Sequence, residues 1–164
     1  VSPLSKMGAI ISGRKGNSLA PLTFQGGNLT AIEYKMPVAS AQLKSCLLIA
    51  GLYATGKTII QQSGPSRDHT EKILQSMGAQ IEINGLTIQI QKSELSAIDV
   101  NVPSDTSNST FWIVAGCCHP NASIKLKNVG INPTRTGMLE VLNAMGANIQ
   151  ISNKKVEGGE PVAY

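Results

Sequence analysis

Two short polar stretches hold the residues best suited to binding an anion. Ser40-Ala41-Gln42-Leu43-Lys44-Ser45 leads into an apolar run over 46–54, where Leu47, Leu48, Ile49, Ala50, Leu52 and Tyr53 leave almost no polar face. Such a run reads as a helix buried on nearly all sides. Ser40 stands where an N-cap belongs, and Pro37 keeps the residue before it extended. A helix start with free N–H groups beside Ser, Gln and Lys side chains suits a phosphate or carboxylate. The second stretch, Ser66-Arg67-Asp68-His69-Thr70-Glu71, opens the next helix. The Arg67 guanidinium adds two parallel donors for the same kinds of anion. Two helix starts of one small unit can face one ligand.

Each of these residues also has a plainer job open to it. Ser40 can simply cap its helix, and Thr106 takes the same place further along the chain. Asn108 and Thr110 stand where Gln42 and Lys44 would fall, so the architecture itself asks for neither a long amide nor a cation. Asp68-x-x-Glu71 has capping-box spacing, and His69 reads as a solvated first-turn residue. Arg135 repeats Arg67, which leaves a structural and a binding role both open for that arginine. His119 precedes Pro120 at a helix end and reads as a loop residue. No metal-ligand spacing and no nucleophile–His–Asp set is present, so no metal and no cofactor is expected.

Gly51-Leu52-Tyr53-Ala54-Thr55-Gly56-Lys57-Thr58 matches the phosphate-loop pattern letter for letter. The context is reversed, however. That loop follows a strand and opens a helix, whereas here a helix comes before and the strand-like Thr58-Ile59-Ile60 comes after. Gly56 is therefore read as a residue just past a helix C-terminus.

The elements that must position these residues come from a repeat. Met-Gly-Ala occurs at Met7, Met77 and Met145, spaced by 70 and 68 residues, with a leucine three residues earlier each time (Leu4, Leu74, Leu142). Each copy reads as a helix that ends at glycine and turns into a strand. Between the marks, the pattern predicts strand 29–34, helix 40–55, strand 58–62, helix 68–77 and strands 80–84 and 86–91. The second pass predicts strand 97–101, helix 106–118, strand 122–127, helix 134–145 and strand 148–152. The fold class is α/β, with repeated βαβαββ units whose mixed sheets pack on helices. Residues 1–27 read as the tail of an earlier copy, and the chain as cut at both ends. Val102-Pro103-Ser104-Asp105 is the expected boundary.

Composition bounds the functional classes. Of 164 residues, 41% are hydrophobic and 15% charged, which suits one or two small globular domains. With a net charge of +4 and only 4% aromatics, there is no base-stacking platform, and no nucleic-acid partner is expected. No apolar run reaches membrane-spanning length, so no membrane partner is expected either. Cys46, Cys117 and Cys118 lie in apolar helical segments and are expected as reduced, buried thiols in a cytoplasmic protein.

The two polar stretches, continued through Val102-Pro103-Ser104-Asp105, Asn128-Val129-Gly130-Ile131-Asn132-Pro133-Thr134-Arg135-Thr136-Gly137 and Gly158-Gly159-Glu160-Pro161-Val162-Ala163, closely resemble the 5-enolpyruvylshikimate-3-phosphate synthase family. The resemblance covers essentially the whole chain. It implies the family's inverse α/β-barrel lobes, built from six βαβαββ units. It also implies metal-free transfer of enolpyruvyl from phosphoenolpyruvate to the 5-hydroxyl of shikimate 3-phosphate. Carried over by position, Ser40, Ala41, Gln42 and Arg67 fall in the shikimate-phosphate pocket, with Gln42 also approaching phosphoenolpyruvate. Ser104 and the run Asn108-Ser109-Thr110 depart from the family's pattern. The resemblance places the family's catalytic Asp, Lys and Glu, and its phosphoenolpyruvate arginines, outside this sequence. It makes 1–103 the end of one unit plus a complete unit of the first lobe, and 104–164 a truncated unit of the second. A chain of that kind is expected to be inactive alone and to self-associate. The alternatives are the sister family acting on UDP-N-acetylglucosamine, a non-catalytic repeat scaffold, and a phosphate-loop nucleotide binder.

Overall fold

The structure is a computed structural model that describes all residues, Val1–Tyr164. The chain divides into two compact units, Val1–Ala97 and Ile98–Tyr164. No helix is long and apolar enough to cross a membrane.

The first unit begins with α1 (Ser2–Lys6), β1 (Ile10–Gly13), the short turn α2 (Arg14–Asn17) and β2 (Leu19–Gln25), which pairs back on β1 as an antiparallel hairpin. Then come β3 (Glu33–Lys35), α3 (Ala41–Gly51), β4 (Lys57–Gln61), α4 (His69–Ser76), β5 (Ile81–Asn84) and β6 (Thr87–Gln91). This is the expected βαβαββ order, and every element predicted between 29 and 91 is present with shifted ends. The strands form one mixed sheet in the order β3-β4-β6-β5. Strands β3 and β4, joined through α3, run parallel, while β6 is antiparallel to both of its neighbours.

Strict alternation decides which face of the sheet is covered. Thr58 and Ile60 on β4 and Ile88 and Ile90 on β6 are buried, and their registers pair Thr58 with Ile90 and Ile60 with Ile88. Helix α3 lies on this face, with Leu47, Leu48 and Ala54 in one core cluster with Met7 and Met36. A Cβ at Gly51 would meet Ile90 Cγ2 at 2.6 Å, so the absent side chain sets how near α3 comes to the sheet. Only Ile49 and Tyr53 leave that apolar segment exposed.

All three Met-Gly-Ala marks form the same turn. The glycines take φ values of +96° (Gly8), +85° (Gly78) and +89° (Gly146). The alanine N–H reaches back to the leucine carbonyl at 3.0 Å (Ala9 to Leu4), 2.9 Å (Ala79 to Leu74) and 3.0 Å (Ala147 to Leu142). Each glycine N–H bonds the carbonyl of the residue after that leucine, at Ser5, Gln75 and Asn143. That pair of bonds is the Schellman arrangement, which satisfies carbonyls a helix end leaves open.

The second unit contains α5 (Thr106–Cys118), β7 (Val129–Gly130), α6 (Gly137–Ala144), β8 (Lys155–Glu157) and β9 (Glu160–Ala163). Its sheet has the order β7-β9-β8 and is antiparallel throughout. Both predicted helices form, but the strands at 97–101, 122–127 and 148–152 do not. Apolar alternation makes a strand only where a neighbour supplies the hydrogen-bond ladder. In their place stand a single parallel bridge between Ser104 and Val129 and one reciprocal pair between Ser152 and Tyr164.

The cysteines depart from expectation as well: Cys46 is half-buried, and Cys117 and Cys118 are exposed. Helix α5 is apolar all round from Phe111 onward, but its buried residues are Thr106 and Ser109 in its polar first turns, while Phe111 is 75% and Trp112 63% exposed.

Candidate functional site

Ser40 caps α3, as its position suggested. Its backbone is extended, with φ −127°, and its Oγ accepts from the Leu43 N–H at 3.3 Å. The same hydroxyl lies 3.5 Å from Gln42 Oε1. Ala41 is half-buried and Gln42 exposed on this first turn. Two residues before α4 stands Arg67, half-buried, with no ion pair or side-chain hydrogen bond to protein.

The starts of α3 and α4 lie side by side. A Cβ at Gly64 would sit 3.8 Å from Ala39 Cβ, so the two approach segments pass within about one methyl group of contact. Ser45 Oγ and Thr70 Oγ1 are hydrogen-bonded at 2.7 Å. Next to them Lys44 Nζ meets Glu71 Oε1 at 2.5 Å, with side chains only 1% and 2% exposed. Ser40, Ala41, Gln42 and Arg67 therefore flank one helix–helix junction.

The capping-box reading of Asp68-x-x-Glu71 is overturned. Asp68 is the N-cap residue of α4 but makes no capping hydrogen bond, and its carboxylate pairs with Lys72 one turn on. Glu71 is turned inward to Lys44 instead. With Lys44 buried beside it, Glu71 is needed there, because a buried cation without a carboxylate costs more than an N–H left to water at a helix start.

The Lys44–Glu71 pair was missed from sequence, although a signal was there. Lys44 precedes Leu47 and Leu48 by three and four residues, and Glu71 precedes Leu74 by three. Helical spacing puts each charge on the buried stripe of its own helix.

The second unit treats its matching residues differently. Asp105, not Thr106, caps α5, and its Oδ1 accepts from the Ser107 N–H at 3.1 Å. Thr106 Oγ1 donates instead to the Gly130 carbonyl. Arg135 bonds both Asp105, at 3.2 Å, and Ser107 Oγ. The Ser107 N–H, then the Asn108 N–H and the Arg135 guanidinium, hold the Asp105 carboxyl below its ordinary value. Arg135 is thus consumed by structure, whereas its counterpart Arg67 is not. In the false phosphate loop α3 already ends at Gly51, so Gly56, with φ +98°, is not the residue just past a helix end. It stands between the Thr30–Thr55 bridge and Lys57, which opens β4. No helix N-terminus follows it to receive a phosphate.

Comparison with known proteins shows the family. The profile of the EPSP synthase (3-phosphoshikimate 1-carboxyvinyltransferase) family matches residues 1–162. The chain belongs to that family. A 3-phosphoshikimate 1-carboxyvinyltransferase of Crocosphaera subtropica is 49% identical over 99% of the chain, and one of Shouchella clausii is 50% identical over 98%. The chain spans 37% of the length of each of these relatives. Among solved structures, EPSP synthase from Acinetobacter baumannii superposes with a TM-score of 0.89 at 42% identity, covering 99% of the chain and 37% of that protein. The enolpyruvyl transferase NikO from Streptomyces tendae has a TM-score of 0.65 at 19% identity, covering 99% of the chain and 40% of that protein. That second likeness concerns the fold alone. The βαβαββ unit of 33–91 is accordingly a family element, and Ser40, Gln42 and Arg67 lie at the helix starts of that unit.

Proposed function

We propose that this chain is part of a 3-phosphoshikimate 1-carboxyvinyltransferase and supplies part of its shikimate 3-phosphate pocket. The observation that carries this reading is the contrast between two arginines. Arg67 stands half-buried and unpaired beside two helix starts, while Arg135 is paired in the matching place of the second unit. A half-buried guanidinium without a carboxylate calls for an anion. In the proposed complex Arg67 donates two parallel hydrogen bonds to the phosphate. Ser40, Ala41 and Gln42 line the same pocket, with Gln42 reaching toward phosphoenolpyruvate. Neither the residues proposed here nor the transfer itself calls for a metal or cofactor.

The domain assignment belongs to the same proposal: 1–103 to the first lobe and 104–164 to a partial unit of the second. So do a cytoplasmic setting, taken from the biosynthetic names of the relatives, and self-association through α5, whose Phe111 and Trp112 stand in solvent. Exposed apolar clusters of this kind recruit partners.

Calorimetric titration of the chain with shikimate 3-phosphate, UDP-N-acetylglucosamine and ATP tests the reading. Binding of the first alone, weakened by Arg67→Ala, is the expected result. Binding of the sugar nucleotide in its place would move the chain to the sister activity, and binding of ATP would revive the phosphate loop.

A further inference from the structure

The Lys44–Glu71 pair is a costly way to join two helices. Both side chains are almost fully out of water, and they meet at 2.5 Å. Glu71 Oε2 is buried and has no hydrogen-bond partner at all. That oxygen is therefore out of bulk water with no protein donor of its own, facing only the charge of Lys44. A buried ion pair with an unsatisfied oxygen contributes less to stability than two well-packed apolar side chains of similar volume. Holding unit 1 together does not require it, since Leu47, Leu48, Ile60, Ile88 and Ile90 already fill the core beneath α3. What a charge pair adds over an apolar contact is direction. It has one good geometry, whereas methyl groups slide past one another at little cost.

The direction in question is the setting of α3 against α4. Lys44 lies in the first turn of α3, four residues after Ser40, and Glu71 in the first turn of α4, four residues after Arg67. The Ser45–Thr70 hydroxyl bond sits beside the pair, and Ala39 and Gly64 pass close to one another just ahead of it. The junction thus has two directional contacts side by side, placed between the two groups of residues proposed to bind one anion. The second unit has Thr110 in the place of Lys44, and its hydroxyl merely bonds the Thr106 carbonyl of its own helix at 3.0 Å.

We propose that Lys44 and Glu71 are positioning residues: their buried pair fixes the register of α3 on α4 and so holds Arg67 in line with Ser40 and Gln42. This rests on the reading of the site as a shikimate-phosphate pocket. The test is a comparison of the wild-type chain with the apolar double variant Lys44→Met/Glu71→Leu, each with and without Arg67→Ala. The double variant melts at or above the wild-type temperature, which shows that the fold is kept. It nonetheless binds shikimate 3-phosphate at least ten-fold more weakly. Arg67→Ala, which weakens wild-type binding ten-fold or more, has less than a three-fold effect in the double-variant background, because the arginine is no longer held in place. A readout free of ligand runs in parallel. Hydrogen exchange at the first-turn amides of α3 and α4 is at least ten-fold faster in the double variant, with β4 and β6 unchanged.

Unchanged exchange in a stably folded double variant overturns the inference, and so does an undiminished Arg67→Ala effect on binding. A wild-type chain that binds no shikimate 3-phosphate overturns the reading of the pocket, and the exchange comparison then decides the positioning role alone. The single variant Lys44→Met serves as control. It melts well below the double variant, because it leaves Glu71 buried and without a cation.

Discussion

Arg67 and Arg135 occupy equivalent places in the repeat, and their surroundings separate them. Replacing Arg67 by alanine should weaken shikimate 3-phosphate binding by about 1.5–3 kcal/mol, the scale of a charge-assisted hydrogen bond. Arg135→Ala should leave that affinity unchanged and loosen the start of α5, because its partners are Asp105 and Ser107. Calorimetry on the two variants side by side checks both outcomes. Asp105 adds a pH dependence. Its carboxyl is held below the ordinary value of 3.8, chiefly by the Ser107 N–H, so it favours the folded state when ionised. That contribution is full above pH 3.8 and is lost as pH falls through the lowered folded value. Acid titration followed by NMR should show the Ser107 amide signal moving in this range, and Asp105→Asn should abolish the shift. Lys44 is the most exacting single residue. Lys44→Met should cost about 3–5 kcal/mol in unit 1, the usual penalty for stranding one partner of a buried pair.

The element that both units share is the helix-ending turn at Met-Gly-Ala, which leads into a strand at Gly8 and Gly78 but not at Gly146. Gly78 has φ +85°, and nothing lies within 4 Å of the place a Cβ would take. Gly78→Ala should therefore cost only the backbone strain of an L-residue in the left-handed region, about 1–2 kcal/mol. Gly51→Ala fails for a different reason: its backbone is helical, but the new methyl would meet Ile90 Cγ2 at 2.6 Å. Thermal melts of the two variants separate the causes, since adding Ile90→Leu, which has no Cγ2 methyl, should restore part of the loss in Gly51→Ala and none in Gly78→Ala. Local rules made the turns and the βαβαββ order readable. Glycine after a periodic leucine stripe has few alternatives, and alternation marks a half-buried strand. The same rules failed at 122–127 and 148–152, where the residues alternate suitably but no neighbouring strand supplies a ladder. They failed again at Asp68-x-x-Glu71, because capping-box spacing cannot reveal a lysine 27 residues earlier in the chain that competes for the glutamate.

At the scale of the whole molecule, the two units differ in how well they bury themselves. Unit 1 closes over α3, whereas α5 leaves Phe111, Trp112 and Val114 in solvent. Light scattering over a dilution series should show concentration-dependent association, and Trp112 fluorescence should shift to the blue as it proceeds. Trp112→Lys should disperse the assembly. A monodisperse chain with solvent-like Trp112 emission at every concentration would show that α5 recruits no second copy. The chain alone should also release no phosphate from phosphoenolpyruvate in the presence of shikimate 3-phosphate, because the resemblance places the acid–base groups outside this sequence. General acids and bases act only within hydrogen-bond reach of the reacting atoms.

The sequence by itself determined the repeat, the family, the helices and the glycine turns, because each depends on contacts within a few residues or on a motif read directly. It also set Gly51–Thr58 against the phosphate-loop order, since the sequence of helix and strand around it is a local property. Only the tertiary structure decided what each copy of a repeated residue does. The three Met-Gly-Ala methionines share one turn, yet Met7 is fully buried, Met77 half-buried and Met145 77% exposed. Arg67 stays free and Arg135 is paired. Lys44 and Glu71 become partners only because α3 and α4 are packed side by side on one sheet. Local sequence sets how the backbone turns, but the burial and charge around a side chain come from residues far away in the chain. Two identical motifs can therefore fold alike and serve differently.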